Sequence, residues 1–182
     1  EDFVFYRHLV SKCGSVEHTG DNRTGAGDGD DEATVYELFG GGLVGELRIT
    51  GEFGSDYSLE ESFAAGKVLC EGEVSYCGGL VGYSQAPVRD SYALGDVKGY
   101  VQVGGLIGSM AQSVSNSFAT GDVTATVTYA GGLIGELSSE SQTVNIEKVY
   151  ATGNVKARYG VGGLIGYVYL DSGDTDISNS FA

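Results

Sequence analysis

Apolar and polar positions along this chain alternate in short runs. Thr124-Ala125-Thr126-Val127-Thr128-Tyr129 is one such run. Successive side chains of an extended strand point to opposite faces, so the alternation predicts a strand with one face inward. No stretch of helical length carries apolar residues at i, i+3 and i+4. The runs are separated by Gly, Asn, Asp and Ser, and they recur. Gly-Gly-Leu-(Val/Ile)-Gly starts at Gly41, Gly78, Gly104, Gly131 and Gly162, at intervals of 37, 26, 27 and 31 residues. A second phrase, an aromatic residue followed by Ala-x-Gly-(Asp/Asn/Lys)-Val, starts at Phe63, Tyr92, Phe118 and Tyr150 and begins again at Phe181. Self-similarity at a period of about 20–50 residues marks a repeat architecture. A unit of 26–31 residues with three β-prone runs predicts one turn of an all-β, parallel β-solenoid (β-helix). The general rule for parallel crossovers makes it right-handed, with coils stacked about 4.8 Å apart.

Stacking predicts columns of like side chains. Leu43, Leu80, Leu106, Leu133 and Leu164 should form an inward ladder. Phe63, Tyr92, Phe118 and Tyr150, continued by Phe181, should form an aromatic one beside Ala64, Ala93, Ala119, Ala151 and Ala182. Like side chains one strand apart pack well, and rings stack. The glycines are expected at corners, where φ is positive or backbones approach closely. Leu106 and Ile107 are adjacent, and a regular strand would face them oppositely. A bend that turns both inward is the favoured solution. The alternative is an exposed apolar stripe of Val44, Val81, Ile107, Ile134 and Ile165, which would mark a contact surface.

Residues 1–39 carry no clear repeat and read as a cap or an atypical first turn, with residues 40–182 as the five-repeat solenoid. The chain opens at Glu1 without Met and stops inside a repeat. The expectation is a processed piece of a larger protein, continuing or docking onto another copy at its open end. Composition narrows the partners. With 25 acidic against 10 basic residues the net charge is −15, which repels phosphate backbones and argues against nucleic acid. No apolar run approaches the roughly 18 residues of a membrane span.

Candidate chemistry is sparse. Cys70 and Cys77 align with small apolar positions of other repeats and read as two buried thiols, with a Cys70–Cys77 bridge or a metal site as alternatives. Asp96 and Asp122 share a slot with Lys67 and Asn154. They read as an Asx ladder closing the Gly-Asp turns, with a calcium ion as the alternative. Asp28, Asp30, Asp31 and Glu32 in one loop, and Asp171, Asp174 and Asp176 in another, alternate oxygen ligands around a Gly. A solvated acidic loop is the simpler reading and a weak calcium site the sharper one, since calcium takes six to eight oxygens and neither loop has the EF-hand spacing. No other cofactor is called for. His8 and His18 are the only histidines, and with Cys13 they lack a fourth metal ligand. Asp96, Asp122 and Lys67 as a polysaccharide-cleaving set sit at turns rather than in a cleft. Tyr76, Tyr129 and Tyr159 recur before the glycine pair and read as half-buried rings, or as a row that stacks on sugars. Thr124, Thr126 and Thr128 do not extend into a flat threonine array, because the neighbouring strands offer Lys98 and Tyr100 on one side and Lys156 and Arg158 on the other.

The glycine phrase, taken with Asn116-Ser117-Phe118-Ala119-Thr120-Gly121-Asp122-Val123, resembles the GLUG repeat of large bacterial surface and secreted proteins. These include filamentous-haemagglutinin-like adhesins and the non-catalytic parts of IgA-specific metallopeptidases. The resemblance covers roughly residues 40–182 and implies an extracellular β-solenoid used for display or attachment, without catalytic residues. The expectation is a non-enzymatic structural or adhesive segment at the cell surface that meets a cell-surface glycan or protein. A filament subunit that self-associates end to end is the alternative, and a glycan-binding or glycan-cleaving β-helix the third reading.

Overall fold

The computed structural model describes residues 6–7, 10–11, 15–19, 38–48, 58–71, 75–139 and 143–182. Every described element is a β-strand, and the strands stack in one six-stranded and four five-stranded sheets. Pairing is parallel throughout, each strand bonding to its counterpart in the next coil. The fold is the parallel β-solenoid that the repeats predict. Each coil, however, has five strands rather than three. One coil runs Val88–Arg89, Tyr92–Ala93, Val97–Gly99, Gln102–Gly104 and Ile107–Met110. Two of these strands are only two residues long, too short for alternation to reveal. The five strands define five faces, numbered here in the order the chain visits them. Tyr6–Arg7, Val10–Ser11 and Ser15–Thr19 pair onto the first, second and third faces, so these strands sit on the stack in the same order as a repeat.

Two cores run along the stack. The first is enclosed by the first, second and fifth faces and contains Leu59, Val88, Val114, Ile146, Val81, Ile107 and Ile134 together with Leu80, Leu106 and Leu133. The second lies between the third and fourth faces and is built from Val68, Cys70, Val97, Val123, Ala125, Cys77, Val103 and Ala130. Neighbouring Leu106 and Ile107 are both fully buried. Their backbone explains how. The N–H groups of Leu106 and Ile107 both donate to the carbonyl of Leu133, at 2.8 and 3.0 Å, and Leu80 and Val81 both donate to Leu106 at 2.9 and 3.1 Å. Two successive donors on one acceptor curl the chain, so both side chains enter the core. Val81, Ile107 and Ile134 are therefore buried, and Val44 and Ile165 pack partly buried against the same core.

The glycines serve close approach. A Cβ on Gly79, Gly105 or Gly132 would stand 2.8–2.9 Å from the methyl of Ala93, Ala119 or Ala151, and would also strike the carbonyl of the next coil's glycine. The second glycine of one phrase thus seats the alanine of the other. The third glycine has a different neighbour. A Cβ on Gly135 would lie 2.6 Å from the amide nitrogen of Val103, and one on Gly166 2.7 Å from the carbonyl carbon of Ala130. Fourth and fifth faces therefore touch backbone to backbone, and this contact separates the two cores.

Positive φ lies elsewhere, contrary to the expectation for glycine corners. Among described residues only Gly160 and Gly173 are glycines with positive φ. Glu61, Asp90, Asn116, Lys148 and Asn179 hold φ of 48–53° at one repeated corner between the first and second faces. The next residue supplies a second column. Ser62, Ser91, Ser117 and Ser180 each donate Oγ to the carbonyl two residues earlier, at 2.6–2.7 Å. Ser91 and Ser117 accept from the backbone N–H one coil below, at 3.1 Å. Beside them stands the aromatic ladder. Phe63, Tyr92, Phe118, Tyr150 and Phe181 stack with centroids 4.8–5.1 Å apart and planes within 5°.

Candidate functional site

The third face carries the polar residues that sequence reasoning singled out. Lys67 Nζ meets Asp96 Oδ2 at 2.6 Å, and the Asp122 N–H donates to Asp96 Oδ1 at 3.1 Å. Asn154 donates to Asp122 Oδ1 from its backbone at 2.8 Å and from its side chain at 3.0 Å. This is an Asx ladder, though each carboxylate caps the next coil rather than its own turn. The Lys67 ammonium, then the Asp122 N–H, hold the Asp96 carboxyl below its ordinary 3.8. In return Asp96 raises the Lys67 ammonium above 10.5.

Outward positions on this face line up as Leu69, Lys98, Thr124 and Lys156. Tyr100, Thr126 and Arg158 lie just beyond the ends of these strands, in the bends that lead to the fourth face. A cavity of about 200 Å³ opens here, lined by Leu69, Cys70, Glu71, Lys98, Gly99, Tyr100 and Thr126. The charges around it are distributed unevenly. Arg48, Lys67, Arg89 and Lys148 are each ion-paired. Lys98, Lys156 and Arg158 make no ion pair among the described residues, and Arg158 instead lies over the Tyr159 ring at 5.7 Å. Sequence alignment of the repeats had already placed these cations beside Thr124. In the sequence they interrupt a threonine array; that they make no ion pair among the described residues depends on the fold.

Cys70 and Cys77 form a disulfide, with Cα atoms 6.3 Å apart. The reading as two free buried thiols is thereby corrected. Both cysteines project into the second core from facing strands, and the bond crosses that core. Its neighbours make room: a Cβ on Gly99 would lie 2.9 Å from Cys77 Cβ, and one on Gly40 would strike Cys70 Sγ. The tyrosine row does not form. Tyr76 pairs with Gln102, and Tyr159 pairs with Thr128 rather than Tyr129. Tyr76 stacks on Phe39 at 5.3 Å and Tyr129 on Tyr167 at 4.4 Å.

Asp28, Asp30, Asp31 and Glu32, with His8 and Cys13, lie outside the described residues. Asp171, Asp174 and Asp176 are exposed. Among the described residues no group of three or more His, Cys, Asp or Glu is placed to hold a metal ion. No helix among them is long and apolar enough to cross a membrane.

Fold and face together define a repeat protein whose side-chain columns are shared between coils. Residues 99–124 match the GLUG motif, and residues 1–39 match the TerD domain, a family different from the surface adhesins. The N-terminal stretch is similar to tellurium resistance protein TerD of Serratia marcescens, 65% identical over 37 residues, 20% of this chain and 19% of that protein. It is likewise similar to general stress protein 16U of Bacillus subtilis (strain 168), 64% identical over 37 residues, again 20% and 19%. Chemical-damaging agent resistance protein B of Clostridium acetobutylicum is 51% identical over 37 residues, 20% of this chain and 27% of that protein. The chain thus spans about a fifth to a quarter of the length of these curated relatives. No solved structure matches.

Proposed function

We propose that the chain is a non-enzymatic, extracellular β-solenoid segment that presents a rigid attachment surface. The observation that carries this is the Asx ladder. Asp96, Asp122 and Lys67, the groups best suited to acid–base work, are engaged in bonds between coils. The Cys70–Cys77 disulfide fits an oxidising compartment, and the GLUG match fits surface display. The test is retention of labelled chain on glycan-coated and cell-coated surfaces, with glycan integrity followed over time. Saturable retention without turnover supports an attachment surface, and turnover sinks it.

The N-terminal similarity favours a second reading, a role in resistance to tellurium or chemical stress. Survival on tellurite of cells that express the chain, against cells that do not, decides that reading. End-to-end assembly is a further reading, since a parallel strand edge pairs readily with another chain. Negative-stain images with calcium and with a chelator test it: regular fibres would establish assembly, and separate short rods in both would end it. Loss of fibres on chelation would assign calcium to the joints.

A further inference from the structure

We propose that the third face binds a carboxylate-bearing sugar of an anionic polysaccharide, seated in the cavity beside Lys98 and Tyr100, with the polymer following the stack to Lys156 and Arg158. The inference rests on the attachment-surface reading and names its ligand class.

The argument starts from charge. In a chain of net charge −15, cations on the surface are expected to be neutralised by the abundant carboxylates, and four of the described ones are. Among the cations whose side chains are described, Lys98, Lys156 and Arg158 make no ion pair; the two lysines lie on the third face and Arg158 in the bend at its edge. Lys98 and Lys156 flank Thr124 in register, so their strands are about 9.6 Å apart, two strand spacings. That places two positive charges in line along the stack, on either side of Thr124. An anionic polymer lying along the axis meets one cation, then another, without bending.

The cavity refines the chemistry. Its 200 Å³ is below the roughly 300–1,000 Å³ of sites that enclose a drug-sized ligand, so it takes one ring while the rest of the polymer stays outside. Lys98 supplies a counter-charge for a carboxylate. Tyr100 supplies an aromatic surface of the kind that sugars pack against. Thr126 supplies a hydroxyl, and Glu71 an acceptor for sugar hydroxyls. With so few unpaired cations in so acidic a molecule, affinity has to come from ring and hydroxyl contacts as well as from charge, and a phosphate backbone offers neither.

Calorimetric titration of the purified chain with polygalacturonate, with dextran and with a thymidine oligonucleotide tests the proposal, each at low and at high salt. The expected result is binding to polygalacturonate alone, weakened by salt. The Lys98→Ala/Lys156→Ala double variant should lose about tenfold or more in affinity, and Tyr100→Ala should weaken binding at both salt concentrations. Neither lysine makes an ion pair among the described residues, so thermal melts of the double variant should match the parent. If its melt moves, Lys98→Gln/Lys156→Gln is used instead. Equal affinity for dextran, preference for the oligonucleotide, or a double variant that binds as the parent does would overturn the site. If polygalacturonate fails while the chain is still retained on cells, this site is wrong and the attachment-surface reading stands. Failure of both removes both.

Discussion

Lys148 occupies a corner that suits it poorly. Its φ of 53° matches the column in which Asn116 and Asn179 hold 48° and 51°. A left-handed residue costs L-amino acids about 1–2 kcal/mol, less for Asn and Asp, whose short polar side chains bond locally. The Lys148–Glu147 ion pair at 2.8 Å has both side chains well exposed, and such pairs contribute little. Lys148→Asn should therefore stabilise the fold by about 0.5–1 kcal/mol, read as a higher midpoint in urea. Asp96 gives a prediction in pH. Its folded pKa is depressed below the ordinary 3.8, so its contribution is present above that value and lost as pH falls through the folded one. Lys67, raised above 10.5, keeps its contribution below that value and loses it as pH rises through its folded pKa. Melting temperatures across acid pH should fall less steeply for Asp96→Asn than for the parent, and an unchanged slope would count against the ladder. The Asp96–Asp122 column was readable from the repeats alone. The corner column was not, because Glu61, Asp90, Asn116, Lys148 and Asn179 share no chemistry, only a backbone angle.

The two repeated phrases act as one structural unit, with the glycine pair of one coil lying under the alanine of the next aromatic phrase. Gly105 is the clearest case. Its absent Cβ would lie 2.9 Å from Ala119 Cβ and against the Gly132 carbonyl. Ala119 is fixed by strand pairing and Gly132 by its backbone bond to the Gly162 carbonyl, so overpacking cannot be relieved by a flexible side chain. Gly105→Ala should cost about 3 kcal/mol or more in equilibrium unfolding. Ala119→Gly in the same chain should recover only part of it, since the carbonyl contact remains. The period, the leucine ladder and the aromatic ladder are all legible as recurring residues, and the structure contains each of them. Five strands per coil were not legible, because strands such as Tyr92–Ala93 leave no alternation to count. The cavity on the third face was not legible either. Its walls come from three coils, and only stacking brings Glu71, Lys98 and Thr126 together.

At the scale of the molecule, each coil is held by its neighbours, so stability should follow nearest-neighbour contacts rather than a single central core. The disulfide is a local exception, tying the third face to the fourth across seven residues. In the Cys77 column the equivalent positions are Val103, Ala130 and Val161, so alanine fits the packing there. Cys70→Ala/Cys77→Ala should keep the fold while losing the cross-link, at a cost of about 2–3 kcal/mol for so short a loop. A melt in reductant should shift the parent and leave the double variant in place. The glycine–alanine seat also sets where such a chain can be cut and rejoined. A crossover between one glycine pair and its alanine separates partners that must fit together, whereas one made just after an alanine passes on each finished joint intact. Genes for proteins of this kind should thus lengthen and shorten in whole coils with breakpoints after the aromatic–alanine step, each exchange changing the reach of the molecule by one strand spacing, about 4.8 Å.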